Sequence, residues 1–228
     1  MAYAAVVAAG VPLYGHFVDW PRFLRHFRED PHRARIREYW ETIVVQWALF
    51  AVGIYFWRSG VWDAPTGWRA WAAAALIALL AATHAANIVK ATRSARTRAW
   101  LREHMAYVEP ILPATDSEFA GFLALSITAG ICEEFLFRGY VIWAFAPLLG
   151  WWGAAALSLA SFALSHSYQG RKGLIQSLIL GALLTLLVAI TRSLLPAMAL
   201  HALIDAGSGT LAWISLRKQP GESNPAGI

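Results

Sequence analysis

Three short runs carry groups that could do chemistry where the surroundings are otherwise apolar. Glu133 and Glu134 are adjacent, and Arg138 follows four positions after Glu134, in a stretch from Phe119 to Pro147 that holds no other charge. His166 closes the run Phe162-Ala163-Leu164-Ser165-His166, and His201 precedes Asp205 by four. An ionisable group in hydrocarbon costs about 2.5–3.5 kcal/mol on insertion scales, so its presence there points to function. Carboxylates with imidazoles suit proton transfer, a divalent metal or hydrolysis.

Helical spacing divides the roles. Neighbours on a helix point about 100° apart, so Glu133 and Glu134 cannot do the same job. Glu134 and Arg138 share a face with the acid N-terminal to the base, the favourable order, and a buried pair neutralises both charges. Glu133 then has no local partner and is free to face a cavity. His201 and Asp205 also share a face, where an internal hydrogen bond is the simplest arrangement. The small residues Ala206, Gly207, Ser208 and Gly209 follow, permitting close helix approach or a cavity. His166 alone reads as a structural residue near an interface and gains weight only from its company. No Ser or Cys has a base at helical spacing, and the zinc helix HExxH is absent.

These groups need elements to hold them. The chain has 228 residues, 58% hydrophobic and 14% charged, against about 25% charge in a soluble domain. Such a chain cannot cover itself with polar surface, so the expected fold is all-α, a polytopic membrane bundle of about seven spans. The expected segments are Ala2–Asp19, Tyr39–Trp57, Ala70–Val89, Ser117–Phe145, Trp151–His166, Gly173–Ile190 and Leu195–Leu216. Trp20, Trp40, Trp57, Trp68, Trp143, Trp151 and Trp152 stand at the edges of apolar runs, as interfacial belts do. The first, third and fifth loops and the tail carry fifteen Lys/Arg, and the other loops three. That alternation predicts a translocated N-terminus and a cytoplasmic C-terminus. It also explains the net charge of +5 as topology, with no nucleic-acid partner. The partners expected are the lipid bilayer and a membrane protein or peptide substrate. The segment 92–108 reads equally as an interfacial helix or a solvated loop. Residues 1–116 form N-terminal spans and basic loops, 117–216 a membrane-embedded core, and 217–228 a frayed tail. Cys132 is the only cysteine, so no intramolecular disulfide forms.

The ordered trio EExxxR, FxxxH and HxxxD on successive membrane segments, from Ser117 to Ser215, resembles the CAAX-processing and bacteriocin-processing protease family. Its eukaryotic members are type II CAAX prenyl endopeptidases. The resemblance implies a glutamate-type intramembrane endopeptidase. Glu133 and His166 would activate water, His201 and Asp205 would bind the oxyanion, and Glu134 and Arg138 would support them. It also implies a prokaryotic plasma or inner membrane location. Asp205 stands where the family more often has Asn, a donor. An ionised carboxylate only accepts, so Asp205 is either protonated or orients His201. No cofactor is expected. The rivals are a metal-dependent hydrolase holding an ion such as zinc on Glu133, His166, His201 and Asp205, and a non-catalytic membrane immunity protein. An ion or proton carrier would fit the buried acids but lacks evident inverted repeats or broken helices.

Overall fold

The computed structural model describes residues 1–57 and 63–217. The protein is all-α: the described residues form helices and no strand. Residues 2–29 make α1, which alternates α and π turns around Pro12 and Gly15. Next come α2 (Pro31–Phe56), α3 (Trp68–Arg93) and α4 (Ala95–Met105), then a 3-10 segment, Ala106–Ile111. Helix α5 (Asp116–Glu133) runs through a π segment (Glu134–Val141) into α6 (Ile142–Ser165). Helices α7 (Gly170–Thr191) and α8 (Leu195–Leu216) complete the bundle.

Local chemistry marks the ends. Asp30 caps α2 by accepting from the Arg33 amide at 3.1 Å, with Pro31 in the first turn. Thr115 and Glu118 form a reciprocal capping box that starts α5. Gly150, at φ 69°, breaks the path of α6 after the run Pro147-Leu148-Leu149.

Four helices are long and apolar enough to cross a membrane: Pro31–Phe56, Trp68–Arg93, the 50-residue run Asp116–Ser165 and Ser167–Thr191. The protein is an integral membrane protein. Two of the seven expected segments lie within the 50-residue run, divided at Gly150, whose φ 69° and ψ 166° are not helical. The expected first segment lies within the α/π mixture of α1. The last, Leu195–Leu216, is long enough but is diluted by His201, Asp205, Gly207, Ser208 and Gly209. The segment 92–108 is mostly helical: α4 packs Leu101 beside Ala91, Leu211 and Ile214, and Arg102 donates to the Ser215 carbonyl at 3.0 Å. The expected frayed tail lies almost wholly outside the described residues.

Helix α8 is packed against α3, α4, α5 and α7. Small residues set the approach. A Cβ on Gly130 would sit 2.7 Å from the Met198 carbonyl and 2.8 Å from Ala202, so α5 and α8 touch backbone to backbone. Of the small residues after Asp205, Gly207 receives His84 of α3 and Gly209 receives Phe122 of α5. The core gathers Phe135, Leu136, Phe137, Phe162, Leu184 and Leu200. Outward faces carry exposed Val44, Trp71, Leu79, Ile127, Leu164 and Ile179, as lipid contact requires.

Candidate active site

A cavity of about 610 Å³ opens between α1, α2, α5, α6, α7 and α8. Glu133, His166, His201 and Asp205 all line it, whereas Glu134 and Arg138 do not. Asp19 and Glu38 line it too, within hydrogen-bond reach of each other. Among the described residues, its lining thus holds four carboxylates and two imidazoles, and no Lys or Arg.

Glu133 is the last α-helical residue of α5, and the π segment begins at the next position. Single π turns widen a helix and recur at functional sites. Here the widened turn still leaves Glu134 and Arg138 bonded, Nη1 to Oε1 at 3.0 Å, with both side chains fully buried. Arg138 also donates to the Gly181 carbonyl at 3.2 Å and lies 4.0 Å over the Phe162 ring. Gly181 is what admits it: a Cβ there would sit 2.9 Å from Nη2.

Glu134 does more than pair with Arg138. The same Oε1 accepts from Nδ1 of His201 at 2.8 Å. The expected pairing with Arg138 is present, and through the added bond to His201 Glu134 also ties α8 to the π segment. On its other side, His201 Nε2 lies 3.5 Å from Asp205 Oδ2. Two carboxylates flank one buried ring. Both nitrogens can donate to them only as the imidazolium.

His166 caps α6 and turns its Nδ1 back to the Phe162 carbonyl at 2.9 Å. A carbonyl only accepts, so Nδ1 carries a proton and Nε2 of the neutral ring is an acceptor. The ring is flanked by Phe162, at 4.7 Å between centroids, and Tyr168, at 6.3 Å.

Glu133 has a partner that helical spacing did not reveal. Gln46 of α2 donates from Nε2 to Glu133 Oε1 at 2.7 Å. Glu133 Oε2 is buried and has no protein partner among the described residues. The available signal was that Gln46 is the one amide or charged side chain between Thr42 and Trp57.

Residues 115–207, about two fifths of the chain, match the family described as Type II CAAX prenyl endopeptidase Rce1-like. This segment is similar to that family. The match holds all six motif residues, from Glu133 to Asp205, within a family described as endopeptidases. No curated protein and no solved structure matches the chain. Gln46, Asp19 and Glu38 lie outside the matched segment.

The donors do not fit a metal as arranged. Both nitrogens of His201 face carboxylates, and Nδ1 of His166 faces a carbonyl. Among the described residues, no three His, Cys, Asp or Glu side chains group as a metal site requires. What the geometry brings to one cavity is a carboxylate oxygen of Glu133 without a protein partner among the described residues, the His166 imidazole with Nδ1 tied to a carbonyl, and His201 held between two carboxylates.

Proposed function

We propose that this protein is an intramembrane endopeptidase that cleaves a peptide bond with water activated by Glu133. The observation that carries the reading is Glu133 Oε2, a carboxylate oxygen with no protein partner on a cavity shared with His166, His201 and Asp205. Glu133 takes a proton from the water as the water attacks the scissile carbonyl. Nε2 of His166 accepts the water's second hydrogen bond and holds it in line. The oxyanion forms near His201: Glu134 holds the ring through Nδ1, and the Nε2–H exchanges its long 3.5 Å contact with Asp205 for the oxyanion, where a fixed donor is worth more than it is in water. Asp205 orients His201. Arg138 and Glu134 keep the two helices in register and touch no reacting atom.

The substrate is a segment of a membrane-associated protein or peptide that enters from the bilayer. A cavity whose described lining holds four carboxylates and no Lys or Arg disfavours acidic residues beside the scissile bond. In this reading the reaction needs no metal, so activity survives chelator. The topology that accompanies it is seven spans, with the C-terminus on the cytoplasmic side of a prokaryotic membrane. The deciding experiment compares membrane peptides in cells carrying wild type or Glu133→Gln. Peptide ends present only with wild type support the reading, and identical peptide sets overturn it.

A further inference from the structure

Gln46 sits on α2, in a helix that the matched segment does not include, yet it reaches the carboxylate on which the proposed reaction depends. Tyr39, Thr42, Gln46 and Leu49 recur at steps of three and four, so they form one face of α2, and all four line the cavity. An amide among Val44, Val45, Trp47 and Ala48 is costly to bury unless bonded. Its bond goes to Glu133, 87 residues away.

Helix α2 does not need that bond to stay on α5. Tyr39 fits against Gly121, where a Cβ would lie 3.2 Å from its ring. Trp47 donates to Thr128 Oγ1 at 3.2 Å. Gly53 gives way to Phe135, whose ring would be 2.6 Å from a Cβ. These contacts fix the register on both sides of Gln46. What the amide adds is local to Glu133, a cavity-lining residue: it occupies Oε1 and leaves Oε2 without a protein partner among the described residues.

We infer that Gln46 is a positioning residue of the peptidase reaction, holding Oε1 of Glu133 so that Oε2 is aimed at the water. This rests on the function proposed above. Gln46 is neutral, so it restrains the carboxylate without placing a cation beside it. Misplacement of a reacting group by about 1 Å can cost 10²-fold in rate.

The test uses the full chain purified in detergent, acting on a pool of acyl-anchored quenched peptides. Gln46→Met keeps the length and bulk of the side chain but has no N–H. The expected result is a kcat about 10–100-fold lower with KM within twofold and an unchanged thermal midpoint. Gln46→Asn keeps an amide on a shorter arm and should recover part of the loss. In the Glu133→Gln background, Gln46→Met should cause no further loss, because the two act as one unit. The inference is overturned if Gln46→Met turns over like wild type while Glu133→Gln is inactive. It is equally overturned if Gln46→Met lowers the thermal midpoint and shifts kcat and KM together, which is the mark of a packing role. If wild type and Glu133→Gln give the same products, the peptidase reading itself fails and takes this inference with it.

Discussion

Glu118 and Glu133 belong to the same helix, α5, and the fold treats them in opposite ways. Glu118 is 1% exposed, and both its oxygens are used. Oε1 faces His32 at 2.8 Å, and Oε2 accepts from the amides of Ala114 at 2.7 Å and Thr115 at 3.2 Å, with Arg35 at 3.5 Å. Arg35 in turn donates to the carbonyls of Glu109 and Pro110. The cluster pins the 3-10 segment and α2 to the start of α5. Glu133 has one donor, Gln46, and one oxygen without a protein partner. A saturated carboxylate stores its charge in structure. An unsaturated one on a cavity keeps it available for a proton.

The largest effect should come from removing the unsaturated carboxylate. Glu133→Gln keeps the shape and most hydrogen-bonding capacity but removes the base. Cleavage should fall about 10²–10⁴-fold, the usual size of a general-base contribution. Thermal stability should hold or rise slightly, since a buried charge is lost. The measurement is turnover of a membrane peptide in detergent beside a melting curve of the same sample. Retained turnover would dissolve the contrast between the two carboxylates.

Glu118→Ala should invert that pattern. It strips a buried pair and the capping box together, while Arg35 keeps its two carbonyls. A loss of about 3 kcal/mol follows, or a thermal midpoint lower by roughly 6–12 °C in a chain of this size. Turnover per folded molecule should stay near wild type. A stable but inactive Glu118→Ala protein would mean that this cluster also serves the chemistry.

The two carboxylates were unequally legible in the sequence. Glu133 stood out because its surroundings are uncharged for many residues on either side. Glu118 sits at the edge of an apolar run, where a charge looks solvated, and only the folded return of Arg35 and His32 shows that it is buried. The all-α bundle was readable because hydrophobic runs of span length leave few alternatives. The spacing of Glu134 and Arg138 gave their bond, since i to i+4 is local geometry. The bond from Glu134 to His201 was not readable, because it crosses 67 residues between helices whose relative rotation the sequence does not state. Gln46 escaped for the same reason. The division at Gly150 was readable from the short gap between two apolar runs, although no polar residue marks it.

Asp205 tests a finer grade of the same comparison. It is bound to one partner, His201, at the long distance of 3.5 Å, and it lines the cavity. Asp205→Asn keeps an oxygen for His201 and adds a donor, so turnover should stay within about tenfold of wild type. Asp205→Ala removes the partner altogether and should lose more, about 10²-fold, if His201 needs orienting. Turnover of both variants with and without chelator checks this. If Asp205→Asn is as inactive as Glu133→Gln, then the charge itself is required, and a bound metal becomes the better account.

The smallest effect is expected at His32, whose side chain is half exposed although it meets the fully buried Glu118. Solvent screens an imidazole in that position, and Glu118 Oε2 keeps its backbone donors without it. His32→Gln should therefore cost under about 1 kcal/mol, which moves the thermal midpoint by roughly 2–4 °C at most. Turnover should be unchanged. A loss as large as that of Glu118→Ala would show that Glu118 depends on His32 more than on the amides of Ala114 and Thr115. Its saturation would then be conditional, and the distinction between a structural and a chemical carboxylate on α5 would rest on the bond from one half-exposed histidine.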